Sequence, residues 1–270
     1  MNPIYAHVNM AGRQISMRFD QDSPVHRNIL AELHESGAYE RATQFFLMRV
    51  LRAGDTFVDV GAHIGYFSML AAAIVGDEGQ VIAVEPMAEN FEQLSYHIAE
   101  NDLARVVAVN AVVAGEDGET EIFFNADNDG GHALWDPALH PVNEQTRQNP
   151  RADKVRSCRL DSLLHEHDVE RVRLMKIDTE GAEAMILEAA RSVFIQGLVD
   201  FAILEVNVTG LQSLGSDIDG LFRLIRDLGY IICLPQNDGS APVLLASDNR
   251  PDDMYVYNVL IATPEALSRL

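Results

Sequence analysis

Apolar and polar positions alternate with period two at residues 4–8 and 14–19, on either side of Ala11-Gly12, which predicts a β-hairpin. Two stretches of helical spacing come next, near residues 28–36 and 39–51. The second carries Phe45, Phe46, Met48, Val50 and Leu51 before Gly54 closes it. Strand-like and helical runs then take turns: strand 57–60, helix 66–75, strand 81–85, helix 89–100 and strand 106–113. Alternation at these lengths predicts a parallel sheet with right-handed crossovers. The pattern breaks at Gly115-Glu116-Asp117-Gly118, and alternating segments at 120–124 and 155–160 flank a polar interval, residues 125–154. It resumes with helix 161–167, strand 172–178, helix 183–193, strand 201–206, helix 218–228, strand 230–234 and a last strand, 255–261. The hairpin-like turn Gln236-Asn237-Asp238-Gly239 ahead of that last strand suits its antiparallel insertion at the end of the sheet.

The expected protein is α/β, with a doubly wound seven-stranded sheet. Residues 1–53 read as a hairpin and helical cap beside the binding site, and residues 54–270 as the main domain. The interval 125–154 reads as a structureless loop, and loops of that length in compact domains are usually functional or disordered. Trp135 and two nearby histidines, His132 and His140, favour a lid over substrate.

The run from Asp55 to Ser68 passes from an apolar strand through a glycine turn into an apolar helix, reading Asp59-x-Gly61-x-His63-x-Gly65. Such a turn offers backbone N–H groups and a helix N-terminus to a ligand. The next strand ends at Glu85, twenty residues after Gly65, where nucleotide-binding βαβ units place a carboxylate on ribose hydroxyls. In the dinucleotide fingerprint the middle glycine lets a pyrophosphate approach the backbone. Here His63 takes that slot; it tolerates positive φ, but its ring crowds a pyrophosphate. An acid two residues before the first glycine, Asp59, suits an ammonium. S-adenosylmethionine has an ammonium, a carboxylate and a sulfonium and no phosphate, so it fits better than NAD. The cofactor-binding candidates are Asp59, Gly61, Ala62, His63, Gly65, Tyr66, Phe67, Glu85, Pro86, Asn110 and Asp178.

A formal charge of −21 argues against nucleic acid or an anionic membrane as partner, since both need a basic face. Cys158 and Cys233 sit among strand-like residues and read as buried apolar side chains without disulfide or zinc spacing. The N-terminus carries no basic or apolar leader segment and no run is long enough to span a bilayer, so a cytoplasmic protein is expected. A homo-oligomer is left open.

The string Val58-Asp59-Val60-Gly61-Ala62-His63-Ile64-Gly65-Tyr66, then Val84-Glu85-Pro86, Leu174-Met175-Lys176-Ile177-Asp178-Thr179-Glu180-Gly181-Ala182-Glu183 and Leu204-Glu205-Val206-Asn207, resembles the FkbM-type methyltransferases. The resemblance implies a class I methyltransferase fold, S-adenosylmethionine as cofactor and, most often, O-methylation of a hydroxyl on a natural product or sugar. Methyl transfer is an in-line displacement, so the protein chiefly aligns donor and acceptor and assists a poorly nucleophilic hydroxyl with a base or a metal.

Ligands of open α/β sheets lie beyond the C-terminal strand ends, which selects Asp59, Glu85, Asp178, Glu205 and Asn207. Asp178, Glu180, Glu205, Asn207 and His132 are the catalytic candidates, with His140 a further possible base. Asp178 could instead hold the cofactor ammonium, and Glu180 and Glu183 could serve only the helix macrodipole. Lys176 is expected to be buried and paired, orienting a neighbouring carboxylate. Asp178, Glu205 and Asn207 could also hold Mg2+. His97, His165 and His167 read as surface residues. Two rival readings are an NAD-dependent sugar oxidoreductase, which lacks support from any Tyr-x-x-x-Lys pair, and a non-catalytic cofactor-binding protein.

Overall fold

The computed structural model describes residues 3–246, 251 and 254–270; part of the segment beyond the Gln236 turn lies outside the described residues. The chain opens as the expected hairpin, β1 (Pro3–Met10) and β2 (Arg13–Asp20), in an antiparallel two-stranded sheet of its own. Helix α1 (Pro24–Ser36) begins earlier than its periodicity predicts. The Ser23 side chain caps it by accepting from the His26 N–H, and Pro24 occupies the first turn, where a missing N–H costs nothing. After α2 (Arg41–Val50) come β3 (Thr56–Val60), α3 (Tyr66–Val75), β4 (Gln80–Val84), α4 (Ala88–Glu100) and β5 (Val106–Val109).

The predicted strand 106–113 is two pieces. β6 (Val112–Val113) leaves the main sheet and joins β7 (Gly118–Phe123) and β8 (Ala152–Cys158) in a three-stranded sheet. The interval between β7 and β8 is built rather than structureless: it holds a 3-10 turn at Pro137–Leu139 and helix α5 (Glu144–Gln148). Thr146 donates to Asp127 at 2.7 Å and Asp127 accepts the Gln145 and Thr146 N–H groups, so short polar side chains replace the missing ladder. The chain continues with α6 (Leu160–Glu166), β9 (Val172–Ile177), α7 (Glu183–Ala189), α8 (Arg191–Ile195), β10 (Val199–Asn207), α9 (Val208–Ser213), α10 (Ile218–Asp227), β11 (Ile231–Leu234), β12 (Val243–Leu244), β13 (Val256–Ala262) and α11 (Pro264–Leu267). The helix expected over 183–193 breaks at Ala190, and α9 has no periodic signal of its own.

Among the described residues the main sheet has eight strands, not seven, in the order β12-β11-β13-β10-β9-β3-β4-β5. The extra member is β12, a two-residue exposed edge strand too short to carry a pattern. β13 inserts antiparallel between β10 and β11, as expected, while β10, β9, β3, β4 and β5 run parallel. This is the class I methyltransferase arrangement. Successive strand residues feed opposite faces: Val58, Ile82, Met175 and Ala202 pack with α6, α7 and α10, while Phe57, Val81, Leu174 and Phe201 pack with α3, α2 and the hairpin. The N-terminal elements therefore bury their apolar faces in the same core as the sheet. Both cysteines are buried and free. No helix among the described residues is long and apolar enough to cross a membrane.

His97 corrects a sequence expectation. It is fully buried rather than superficial, because the α4 face that carries it packs under β2. Its Nε2 accepts the Arg18 N–H at 2.8 Å and its Nδ1 donates to the Ile64 carbonyl at 2.8 Å, tying the hairpin to the glycine turn. Burial pushes its pKa down to about 4. An unfolded histidine titrates near 6.5, so acid protonates the unfolded chain first and stability present above that pH is lost as pH falls from about 6.5 to about 4. His97→Leu should be less stable than the parent at pH 7.5, with the gap narrowing by about 3 kcal/mol towards pH 4. Urea midpoints across that range decide it; a gap independent of pH refutes the buried neutral ring.

Candidate active site

The C-terminal ends of β3, β4, β9 and β10 open into a cavity of about 200 Å³. Its floor is the glycine turn. Gly61 has φ 82°, and a Cβ there would stand 1.9 Å from the Asp178 carbonyl oxygen, so β3 and β9 approach closely only because the side chain is absent. Gly65, at φ 84°, caps α3 and packs on Leu94 rather than facing the cavity. His63 keeps φ 51° and lines the cavity, as its place in the turn predicts. Gly61→Ala should lower stability by about 3 kcal/mol or more and displace Asp178, because strain at positive φ adds to the overlap. Denaturant midpoints measure it, and a variant as stable as the parent would mean the turn yields freely.

Each predicted cofactor residue has a definite place. Asp59, 1% exposed, accepts from the Ser68 hydroxyl at 2.6 Å through Oδ2, while Oδ1 meets no hydrogen-bond partner among the described residues. Burial raises its pKa against the pull of Lys176. Glu85 lines the cavity, but its oxygens also accept the His63 and Met87 N–H groups, both at 2.9 Å. It therefore ties the glycine turn to the end of β4, and burial pushes its carboxyl up to about 7. Ala62, Tyr66, Phe67 and Pro86 line the cavity. Asn110 does not; it donates to the Glu85 and Pro86 carbonyls from outside and holds that corner in shape.

Two cavity residues carry no sequence signal. Tyr39 and Glu40, in the turn between α1 and α2, reach over the strand ends. Tyr39 stacks on Phe67 at 5.8 Å and meets Tyr66 edge-on, and Tyr66 donates to Gln44 at 2.8 Å. Glu40 adopts φ 41° and accepts from Asn258 on β13 at 3.2 Å. Its role depends on a strained backbone angle and a partner more than two hundred residues away, which no local pattern reveals.

The chemistry gathers around Lys176. It is 4% exposed and forms an ion pair with Asp178, its neighbour on the same strand face. Burial alone would lower its pKa; Asp178, Glu40 and Asp59 reverse that, and it stays protonated. Its ammonium also lies 5.2 Å over the Phe67 ring. Glu180, at φ 56°, accepts from the Asn207 amide at 2.5 Å, and burial together with Asp178 pushes its carboxyl up to about 8. Glu205 lines the cavity with Oε1 unpartnered among the described residues, its pKa raised by burial and then by Asp178 and Glu180. Glu183 stands in the first turn of α7, where the dipole reading places it, and it does more than complement the dipole. It is fully buried, accepts the Thr179 N–H and hydroxyl and the Gly181 N–H, and thereby shapes the turn after β9.

Other expected residues are placed elsewhere. Asn207 is absent from the cavity lining; its side-chain Oδ1 accepts the Gly210 N–H at 2.9 Å and caps α9. The set Asp178, Glu205 and Asn207 thus does not converge on a cation, since the one oxygen Asn207 could offer faces its own helix. His140 also lies away from the cavity, whereas His132 lines it, with Nδ1 accepting the Asn125 N–H and its pKa pushed down to about 4 by burial. Trp135 is only 7% exposed and donates to the Glu180 carbonyl at 2.7 Å. The indole is not among the residues that line the cavity; its hydrogen bond ties the insertion to the turn after β9.

The sheet order, glycine turn and acid-lined strand ends define an S-adenosylmethionine-dependent methyltransferase. The Methyltransferase FkbM domain model matches residues 59–232, and the chain belongs to that family. That membership sets aside the NAD-dependent oxidoreductase reading. Among curated proteins, none matches the chain significantly. Solved structures similar to it include the methyltransferase FkbM from Methylobacillus flagellatus, 14% identical over 88% of this chain, with a TM-score of 0.47. This chain spans 59% of that protein. A Thermotoga maritima SAM-dependent O-methyltransferase is 12% identical over 97% of this chain and 86% of its own, with a TM-score of 0.45. A Streptococcus thermophilus rRNA methylase is 11% identical over 81% and 92%, with a TM-score of 0.43.

Proposed function

We propose that the protein transfers a methyl group from S-adenosylmethionine to a hydroxyl of a small-molecule natural product or sugar. The observation that carries this reading is the arrangement of acids around Lys176 at the mouth of the cofactor turn. A single buried cation holds Asp178 at the strand end, while Asp59, deeper in the turn, keeps one carboxylate oxygen free for an ammonium. When bound, S-adenosylmethionine supplies an electrophilic methyl carbon on a positively charged sulfur. Asp59 then takes the cofactor's ammonium, Glu85 its ribose hydroxyls and the Gly61–His63 backbone its close approach. Asp178 orients the acceptor hydroxyl and takes its proton, with Lys176 keeping the carboxylate in place. Tyr39 and Phe67 form the apolar wall that keeps water from the reacting centre. Residues 1–53 serve as the cap over this site, and residues 125–154 serve as its lid on the acceptor side, with His132 in the cavity lining and Trp135 tying the insertion to Glu180. The charge of −21 supports a small acceptor over a polyanionic one.

Calorimetry tests the cofactor half: S-adenosylmethionine and S-adenosylhomocysteine should bind and NAD should not. Mass spectrometry of candidate metabolites incubated with protein and methyl-labelled cofactor tests the acceptor half. Label recovered on nitrogen, on carbon or on RNA instead of a small-molecule hydroxyl would replace the reading.

A further inference from the structure

His26, His63 and Asp129 come together from α1, the glycine turn and the insertion between β7 and β8. One ring nitrogen of each histidine and one Asp129 oxygen lie within 4.8 Å of one another. His26 is 1% exposed, and the two rings pack edge to face at 5.3 Å. The Nε2 atoms of both rings are buried and meet no hydrogen-bond partner among the described residues. Buried polar atoms are costly when unpartnered, and a gap edged by three polar groups suits a ligand atom that satisfies them.

Two histidines and a carboxylate have the composition of a metal site, but the protons are wrong for one. Nδ1 of His26 accepts the Asp20 N–H at 2.8 Å, so the neutral ring carries its hydrogen on Nε2. A metal-bound histidine does the reverse, giving its lone pair to the ion and its N–H to an outer acceptor. The His26 N–H likewise opposes an ammonium, and Asp129, which already accepts the Val25 N–H at 3.4 Å, opposes an anion. A neutral hydroxyl meets every requirement: it accepts from His26 and donates to Asp129 or His63. An oxygen centred in a triangle whose sides are at most 4.8 Å sits no more than about 2.8 Å from each corner, within hydrogen-bond reach.

We propose that His26, His63 and Asp129 form a hydroxyl-binding subsite that anchors a polyhydroxylated acceptor beside the cofactor. His63 and Asp129 line the cavity, and His26, which does not, completes the triangle as the fixed donor. The assignment to the acceptor rests on the methyl-transfer reading; the hydroxyl chemistry does not. The cofactor's own ribose offers the same group, so the two sources need separating.

Ring NMR of the full chain with 15N-labelled histidine provides the test, with glycerol as the hydroxyl probe and acetate, methylammonium and Zn2+ as contrasts. His26 should show the Nε2–H tautomer. Glycerol should shift the His26 and His63 signals saturably, and Asp129→Asn should weaken that response about tenfold. A stronger response to Zn2+, acetate or methylammonium overturns the proposal, as does no response to glycerol. Glycerol binding that survives saturation with S-adenosylhomocysteine assigns the subsite to the acceptor. If S-adenosylhomocysteine itself shifts His26 and blocks glycerol, while its 2′,3′-dideoxy analogue does neither, the hydroxyl is the ribose and the acceptor assignment falls. Failure of S-adenosylhomocysteine to bind at all would sink the methyl-transfer reading while leaving the glycerol result standing.

Discussion

Lys176→Met should lower stability by about 3–5 kcal/mol at pH 7.5, because removing one partner of a buried ion pair strands the other charge. Here it strands more than one. Asp178 loses its ion pair, and Glu40 and Asp59 lose the cation that offsets their burial. Methionine fills nearly the same volume, so the loss reports charge rather than packing. The sign with pH comes from those groups. Burial raises the pKa of Glu40 and Asp59, and without Lys176 their carboxyls are raised further, so the variant gains most by protonation. Its deficit against the parent should therefore shrink as pH falls from 7.5 towards 5. Urea titrations at both pH values measure this. A deficit that is small at pH 7.5, or equal at both, would mean that the acids around Lys176 are solvated or already neutral.

Asp178→Asn should leave S-adenosylhomocysteine affinity within about threefold and reduce turnover about a hundredfold or more, the size of a lost general base. The expectation rests on a division of labour within the cavity. Asp59 keeps a free oxygen deep in the turn for an ammonium, whereas Asp178 sits at the strand end beside Lys176 with its side chain partly open. Calorimetry gives the affinity, and label transfer to the acceptor found by the metabolite screen gives the turnover. Collapse of cofactor affinity with turnover at saturation preserved would move Asp178 to the ammonium and leave the base elsewhere on the wall, with His132 next in line.

Much of this architecture was legible because it is local. Strand residues such as Val58, Ile82 and Met175 lie in short, predominantly apolar runs, since both sheet faces are covered. Gly61 and Glu85 declared themselves by spacing around one turn. Errors fell where the controlling partner is distant or the segment short. β12 has two residues and no period, and 106–113 reads as one strand because nothing local shows that β6 pairs with β8. His97 carries the same helical spacing whether it faces water or β2. Asn207 ends a strand like a ligand, yet it caps a helix whose start has no pattern of its own.

The amino-acid sequence by itself determined the class of the protein. The βαβ alternation, the Asp59–Gly65 turn with histidine in its middle slot, and the acids at the strand ends depend on periodicity and backbone chemistry that neighbours in sequence enforce. Tertiary structure decided which of those acids share a cavity and in what state. Lys176 selects Asp178 as its partner, Asn207 turns away to its helix, and Tyr39 and Glu40 arrive from the cap. It also brought His26 and Asp129 to His63, across separations that leave no trace in local pattern. The physical reason is that protonation and hydrogen bonding are set by burial and by the nearest charges in space, and both exist only once distant segments have packed together.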